Sequence, residues 1–325
     1  MNVRRRRISG IAVTAATAIG LGTLSACSSD SSAAGTAGHT DKFDVVASFY
    51  PMEFLAEQIG GDHVNVTTLT EPGQEPHDLE LSAKQTAQMG EADAVLHLKS
   101  LQPAVDEAIA QSDVKTKIDA ATLTKLEDHG SVEHDHGGEE HAEEEHSEGG
   151  EHALDPHVWL DPVKYAEIAE GVAKAFEKAD PDHAADYRKN AEALAKKLGD
   201  LDTAYRNGLK DTASKVFFTN HAAFGYLAER YGLTQEAING LDPESEPSPA
   251  RIRELQEEAK ADGVTTVFYE TLVSGKTAKT LAKDAGLKTD VLDPLEGITD
   301  KSKGDDYVAV MRSNLKALET ALGAK

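Results

Sequence analysis

From residue 43 onward, short runs of apolar and β-branched residues alternate with stretches whose apolar positions recur every three or four residues. The short runs, read as strands, fall at 45–49, 64–69, 94–98, 117–119, 215–219, 265–269 and 289–292. The helical pattern falls at 52–59, ended by Gly60-Gly61, and at 82–89, where Ser82 is placed to cap, then at 103–110 and 162–178. It resumes at 222–231, closed by Gly232, at 250–261 behind Ser248-Pro249, at 276–285 and at 307–322. Between the two sets, 182–209 carries Tyr187, Leu194, Leu198, Leu201 and Tyr205 on one stripe, with no turn signal before Gly199. That stretch predicts one long helix able to bridge two halves. Strands separated by helices predict an α/β fold of parallel βαβ units, whose ligands collect at the carboxyl ends of the strands.

The chain is 325 residues long, enough for two domains with real cores. Ahead of the periodic region, Arg4 to Arg7 precede a weakly apolar run that ends in Leu24-Ser25-Ala26-Cys27. This is the charge and hydropathy pattern of an export signal, and its cysteine stands where a bacterial lipobox places the lipid-bearing residue. The segment 28–40 is rich in Ser, Ala and Gly and reads as a tether. With Cys27 the sole cysteine, disulfides and cysteine catalysis are excluded from the exported part. Loss of the four arginines with the leader takes the formal net charge from −24 to −28. A surface so acidic repels nucleic acid and favours cations.

The chemistry gathers around histidine. The stretch 127–152 holds six histidines, eleven acidic residues and no lysine or arginine. It cannot bury apolar surface, so it is expected to be disordered, and its irregular spacing suits a weak gatherer of metal at several sites rather than a zinc finger. Directly after it comes Asp155-Pro156-His157-Val158-Trp159-Leu160-Asp161-Pro162, with the only tryptophan. Its two Asp-Pro steps fix His157 in a loop just before a helix that Pro162 opens. His77, in Glu75-Pro76-His77-Asp78, and His221, in Thr219-Asn220-His221-Ala222, each follow a predicted strand. Three neutral imidazoles with one carboxylate make a nitrogen-rich sphere suited to Zn²⁺, whereas calcium or magnesium wants oxygen. Neither a zinc-protease HExxH helix nor a nucleophile elbow is present, which disfavours a zinc hydrolase.

These motifs, together with Phe268-Tyr269-Glu270 and Leu292-Asp293-Pro294-Leu295-Glu296-Gly297, resemble the zinc- and manganese-specific solute-binding lipoproteins of bacterial ABC importers, over essentially the whole chain from the lipobox to Leu322. The resemblance implies a signal peptide at 1–26, a tether at 27–41, one lobe at 42–180, a rigid linking helix at 181–210 and a second lobe at 211–325. It also implies metal in the interdomain cleft, an ABC permease as partner, anchoring to the outer face of the cell membrane through lipid on Cys27, a monomer, and no enzymatic activity. Manganese members tend to carry a carboxylate at the third position; His221 here favours zinc, with Mn²⁺ as the alternative cargo and a metal-dependent surface adhesin as the alternative role. By family pattern Glu296 is the fourth ligand beside His77, His157 and His221, with a bound water as the other occupant of that position. Asp293 and Glu270 are alternatives or groups orienting an imidazole, and Glu270 is read as a strand-end carboxylate bonded to backbone.

Overall fold

The apolar runs pair into two parallel sheets of the same design. In the computed structural model, which describes residues 42–129 and 154–325, the first half runs β1 (Phe43–Ala47), α1 (Tyr50–Gly60), β2 (Val64–Thr68), α2 (Ala83–Glu91), β3 (Ala94–His97), α3 (Pro103–Gln111) and β4 (Thr116–Asp119). The leader, Cys27, the tether and most of the stretch 127–152 expected to gather metal, from 130 on, lie outside the described residues. Two helices follow, α4 (Pro162–Ala179) and α5 (Ala184–Leu209). The second half runs β5 (Val216–Thr219), α6 (Gly225–Tyr231), β6 (Thr234–Ala237), α7 (Pro249–Ala261), β7 (Thr266–Tyr269), α8 (Lys276–Ala285), β8 (Lys288–Val291) and α9 (Tyr307–Leu322). The sheets are ordered β2-β1-β3-β4 and β6-β5-β7-β8, and every pairing is parallel. The α/β architecture expected from the alternation is therefore the one found.

Each sheet is covered on both faces, as parallel sheets require. In β1, Val46 points to one side and packs with Leu69, Met89, Val95, Val105 and Ile109, the layer built with α2 and α3. Its neighbours Val45 and Ala47 point to the other. In the second sheet Phe218 and Val267 face Leu255, Ala278 and Leu281 of α7 and α8. The remaining faces of the two sheets do not form separate cores. Val45 and Leu96 from one and Phe217 and Phe268 from the other belong to a single apolar cluster with Tyr165, Ile168, Leu194, Leu198, Leu201 and Leu318. Helix α5, 26 residues and about 39 Å long at 1.5 Å per residue, lies through it against α1, α4 and α9. Its stripe of Tyr187, Leu194, Leu198, Leu201 and Tyr205 is buried, and Tyr205 Oη donates to Met311 O of α9 at 2.7 Å. Among the described residues, no helix is long and apolar enough to cross a membrane.

Two elements differ from the sequence reading. β6, Thr-Gln-Glu-Ala, has no apolar run to announce it and is held as an edge strand by its backbone pairing to β5. The helix expected from residue 222 begins at Gly225, and Ala222 N instead donates to Gly240 O in the loop after β6.

Candidate metal centre

The segment before α4 is built by its aspartates. Asp161 caps α4 through Oδ1, accepting from Val163 N at 2.9 Å and Lys164 N at 3.4 Å, with Pro162 as first helical residue. Its Oδ2 accepts from Arg230 of α6, which ties the segment to the second lobe. Asp155 closes a tighter turn: its Oδ1 accepts both His157 N at 2.9 Å and His157 Nδ1 at 2.7 Å. Between them Trp159 Nε1 donates to Pro294 O at 2.7 Å and Tyr307 Oη donates to Trp159 O at 2.6 Å.

His221 leaves the carboxyl end of β5. Gln235 of β6 donates to its backbone oxygen at 2.9 Å, and its Nδ1 lies 2.6 Å from Glu270 Oε1 at the end of β7. Adjacent strands β5 and β7 are where the order of the second sheet reverses, the usual ligand position of such sheets. Glu296 follows β8 in a loop clamped from α9. Asn314 accepts from Asp293 N at 3.0 Å and donates to Asp293 O at 2.7 Å, while Asp293 Oδ1 accepts from Leu295 N at 2.9 Å. Leu295, fully buried, adopts φ +61°, a left-handed conformation that costs a leucine about 1–2 kcal/mol. His77 sits in the loop after β2, where Glu75 accepts from His77 N at 3.1 Å and from Asp78 N at 3.2 Å.

The four residues singled out in the sequence converge. Nε2 of His77, His157 and His221 lies 3.3, 3.2 and 3.3 Å from Glu296 Oε1, and one donor atom from each residue falls within 4.8 Å of all the others. His157, His221 and Glu296 have no solvent exposure, and His77 lies at the rim with 13% of its side chain exposed. Despite the short distances, His157 Nε2, His221 Nε2 and Glu296 Oε2 have no hydrogen-bond partner. Buried polar atoms are rarely left so unless something else meets them, and an Nδ1–H held by a carboxylate leaves the Nε2 lone pair for that purpose. The electrostatics agree. Burial opposes charging His157 and His221, yet Asp155 and Glu296 outweigh it for the first and Glu270 and Glu296 for the second, so both sit above the ordinary histidine value. Burial would raise Glu296, but His221, His157 and His77 hold it well below the usual carboxylate range.

Two carboxylates are recast by this geometry. Glu270, read from sequence as bonded to backbone, instead accepts from His221 Nδ1. Asp293 shapes the loop that carries Glu296. Asp155 was legible only as half of an Asp-Pro step, although its spacing of two residues before His157 is the signature of a carboxylate that turns back on its own chain.

Residues 45–321 match the family described as zinc-uptake complex component A, periplasmic, or ZnuA. The chain belongs to this family. It is 39% identical over 306 residues to the zinc-binding lipoprotein AdcA of Streptococcus pneumoniae strain R6, covering 91% of this chain and 58% of AdcA. It thus spans well under two thirds of that relative's length. With the high-affinity zinc uptake system protein ZnuA of Bacillus subtilis it shares 37% identity over 308 residues, 93% of this chain and 94% of the relative. Among solved structures, the Zn(II)-bound ZnuA-like domain of S. pneumoniae AdcA superposes with a TM-score of 0.71 at 37% identity, covering 86% of this chain and 99% of that one. The laminin-binding protein Lmb of Streptococcus agalactiae, described as a bifunctional protein with adhesin and metal-transporting activity, gives 0.74 at 32% identity with the same coverage. These relatives are named for zinc binding and zinc uptake, and this chain has their fold.

Proposed function

We propose that this protein captures Zn²⁺ outside the cytoplasmic membrane and hands it to the permease of an ABC importer, with His77, His157, His221 and Glu296 as the ligands. The observation that carries the reading is the set of three imidazole Nε2 atoms around one buried carboxylate oxygen at 3.2 to 3.3 Å. Three nitrogen donors and one oxygen favour zinc over the oxygen-seeking hard cations. Manganese remains the alternative cargo. Four protein ligands would close a tetrahedron, whereas a hydrolytic zinc keeps a position for water, so the site reads as a holder of metal and not as a catalyst. Anchoring through lipid on Cys27 and a monomeric state complete the reading, with lobes at 42–180 and 211–325 and the linking helix at 181–210.

The test is metal analysis of protein purified without added metal, followed by zinc titration against a chelator of known affinity. One tightly held zinc per chain is expected, weakened at least about tenfold by Glu296→Gln. Protein that holds no zinc, or that prefers manganese under competition, overturns the assignment. Likeness to Lmb supports a second role, contact with host matrix. Binding to immobilised laminin measures it directly.

A further inference from the structure

The second lobe holds a cavity of about 510 Å³, and none of the residues that line it is a candidate zinc ligand. That is the size of a small-molecule site, roughly 300–1,000 Å³. Two asparagines from the carboxyl edge of the sheet line it, Asn220 after β5 and Asn239 after β6. Asn239 N donates to Asn220 O at 2.9 Å, and Asn239 Nδ2 donates to Pro243 O at 2.9 Å. The second bond fixes which way the Asn239 amide faces and leaves its Oδ1 over. Asn220 Oδ1 and Asn239 Oδ1 are both buried, and neither has a hydrogen-bond partner among the described residues. Buried polar atoms are seldom left in that state. Both are acceptors, so the missing partner is a donor.

The rest of the lining says what kind of donor. Glu244, Glu246 and Asp284 are exposed there, against one basic residue, Lys276. Their field favours a cation. A bare metal ion does not suit the place. Among the described residues, no three acidic or histidine side chains of this cavity come close enough to share one ion, and a calcium ion wants about six to eight oxygens at once. The cation must therefore bring N–H groups of its own, which is the chemistry of an ammonium group. Ile252, Val273 and Leu281 add apolar surface to the same cavity, a match for the methylene stem that carries such a group.

We propose that this cavity binds an aliphatic diamine or polyamine. One primary ammonium donates to Asn220 Oδ1 and Asn239 Oδ1, the methylene chain lies along Ile252, Val273 and Leu281, and the second ammonium is met by the exposed carboxylates. The site stands on its own residues and does not depend on the zinc reading.

Equilibrium dialysis of the metal-stripped full chain against labelled putrescine, at physiological ionic strength, tests this. Saturable binding of one putrescine per chain is expected. The permethylated bis-quaternary analogue of putrescine keeps both charges and the chain but has no N–H, so it should compete at least about tenfold less well than unlabelled putrescine. Asn220→Leu, which keeps the bulk and removes the acceptor, should weaken putrescine at least about tenfold. Thr280→Trp, at an exposed position of α8 that lines the cavity, should abolish binding by filling the space, with zinc affinity within about twofold of the parent. Equal competition by the quaternary analogue, or binding that survives Thr280→Trp, would mean attraction to the acidic surface alone and overturns the proposal. Absence of saturable binding overturns it too. Should Asn220→Leu fail to fold by circular dichroism, the analogue and Thr280→Trp decide the matter.

Discussion

An imidazole ligates only through a nitrogen free of its proton, so the groups that set histidine protonation also set zinc affinity. For His157 and His221 the neighbouring carboxylates prevail over burial, and both pKa values lie above the ordinary value near 6.5. In the metal-free protein these two residues stabilise the fold fully below about pH 6.5, a contribution lost as pH rises through their raised values. Glu296 runs the other way: its contribution is present above about pH 4.3 and is lost as pH falls through its depressed value. Zinc must displace the imidazole protons. Its apparent affinity should therefore begin to fall while the pH is still above 6.5, and a chelator competition series from about pH 8.5 to 5 would contradict this by staying flat. Truncation should also sort the histidines. His157→Ala and His221→Ala remove an imidazole partner from buried Asp155, which keeps His129, and from buried Glu270, costing about 1–3 kcal/mol in metal-free melts besides the lost affinity. His77→Ala, at the rim, should weaken zinc at least about tenfold with little change in the metal-free melting temperature. All four candidate ligands were legible as histidines after strands or as a family motif. Of the orienting carboxylates, Glu270 was named but set aside for a backbone-bonded reading, because a hydrogen bond to a histidine 49 positions earlier leaves no local trace, and Asp155 was read only as half of an Asp-Pro step.

Elements announced by apolar periodicity or by a cap were read closely from sequence. Ser82 does cap α2, with Gln85 returning the bond as a capping box, and Ser248 caps α7. The miss at β6 has a physical cause. A strand paired on one edge, with Thr234 exposed and the rest only half buried, owes its existence to the hydrogen bonds of β5 and shows no hydrophobic run. Beyond the sheets, the joint between α4 and α6 is electrostatic: Asp161 is 1% exposed and its charge is met by Arg230. Removing the guanidinium strands a buried carboxylate, a loss usually worth 3–5 kcal/mol. With Arg230 26% exposed, so that water reaches the pair, Arg230→Ala should cost about 2 kcal/mol by chemical denaturation. Asp161→Asn, which keeps the cap, should cost less.

At the scale of the whole chain, two lobes were expected from the repeated strand-and-helix plan, and two sheets with matching strand order are present. Periodicity shows which residues are buried but not against what, so the fusion of both inner faces into one cluster was not legible. Unfolding should accordingly be a single transition by calorimetry, without separate melting of the halves. Because zinc binds the folded chain, stripping it should lower the melting temperature. At free zinc 100-fold above Kd the added stability is about 2.7 kcal/mol.

The shared interior also has a consequence for how the chain is made. Tyr307, at the start of the last helix, packs 5.4 Å from Phe54 of α1 and 4.7 Å from Tyr165 of α4, ring centre to ring centre. One aromatic contact of the first lobe's helices is therefore supplied by a residue near the end of the chain. During synthesis the inner face of the first sheet can be covered by α1 and α4 before the second half exists, but their contact with Tyr307 forms only when α9 arrives. A chain with this order of assembly completes its shared interior only after its last residues are available.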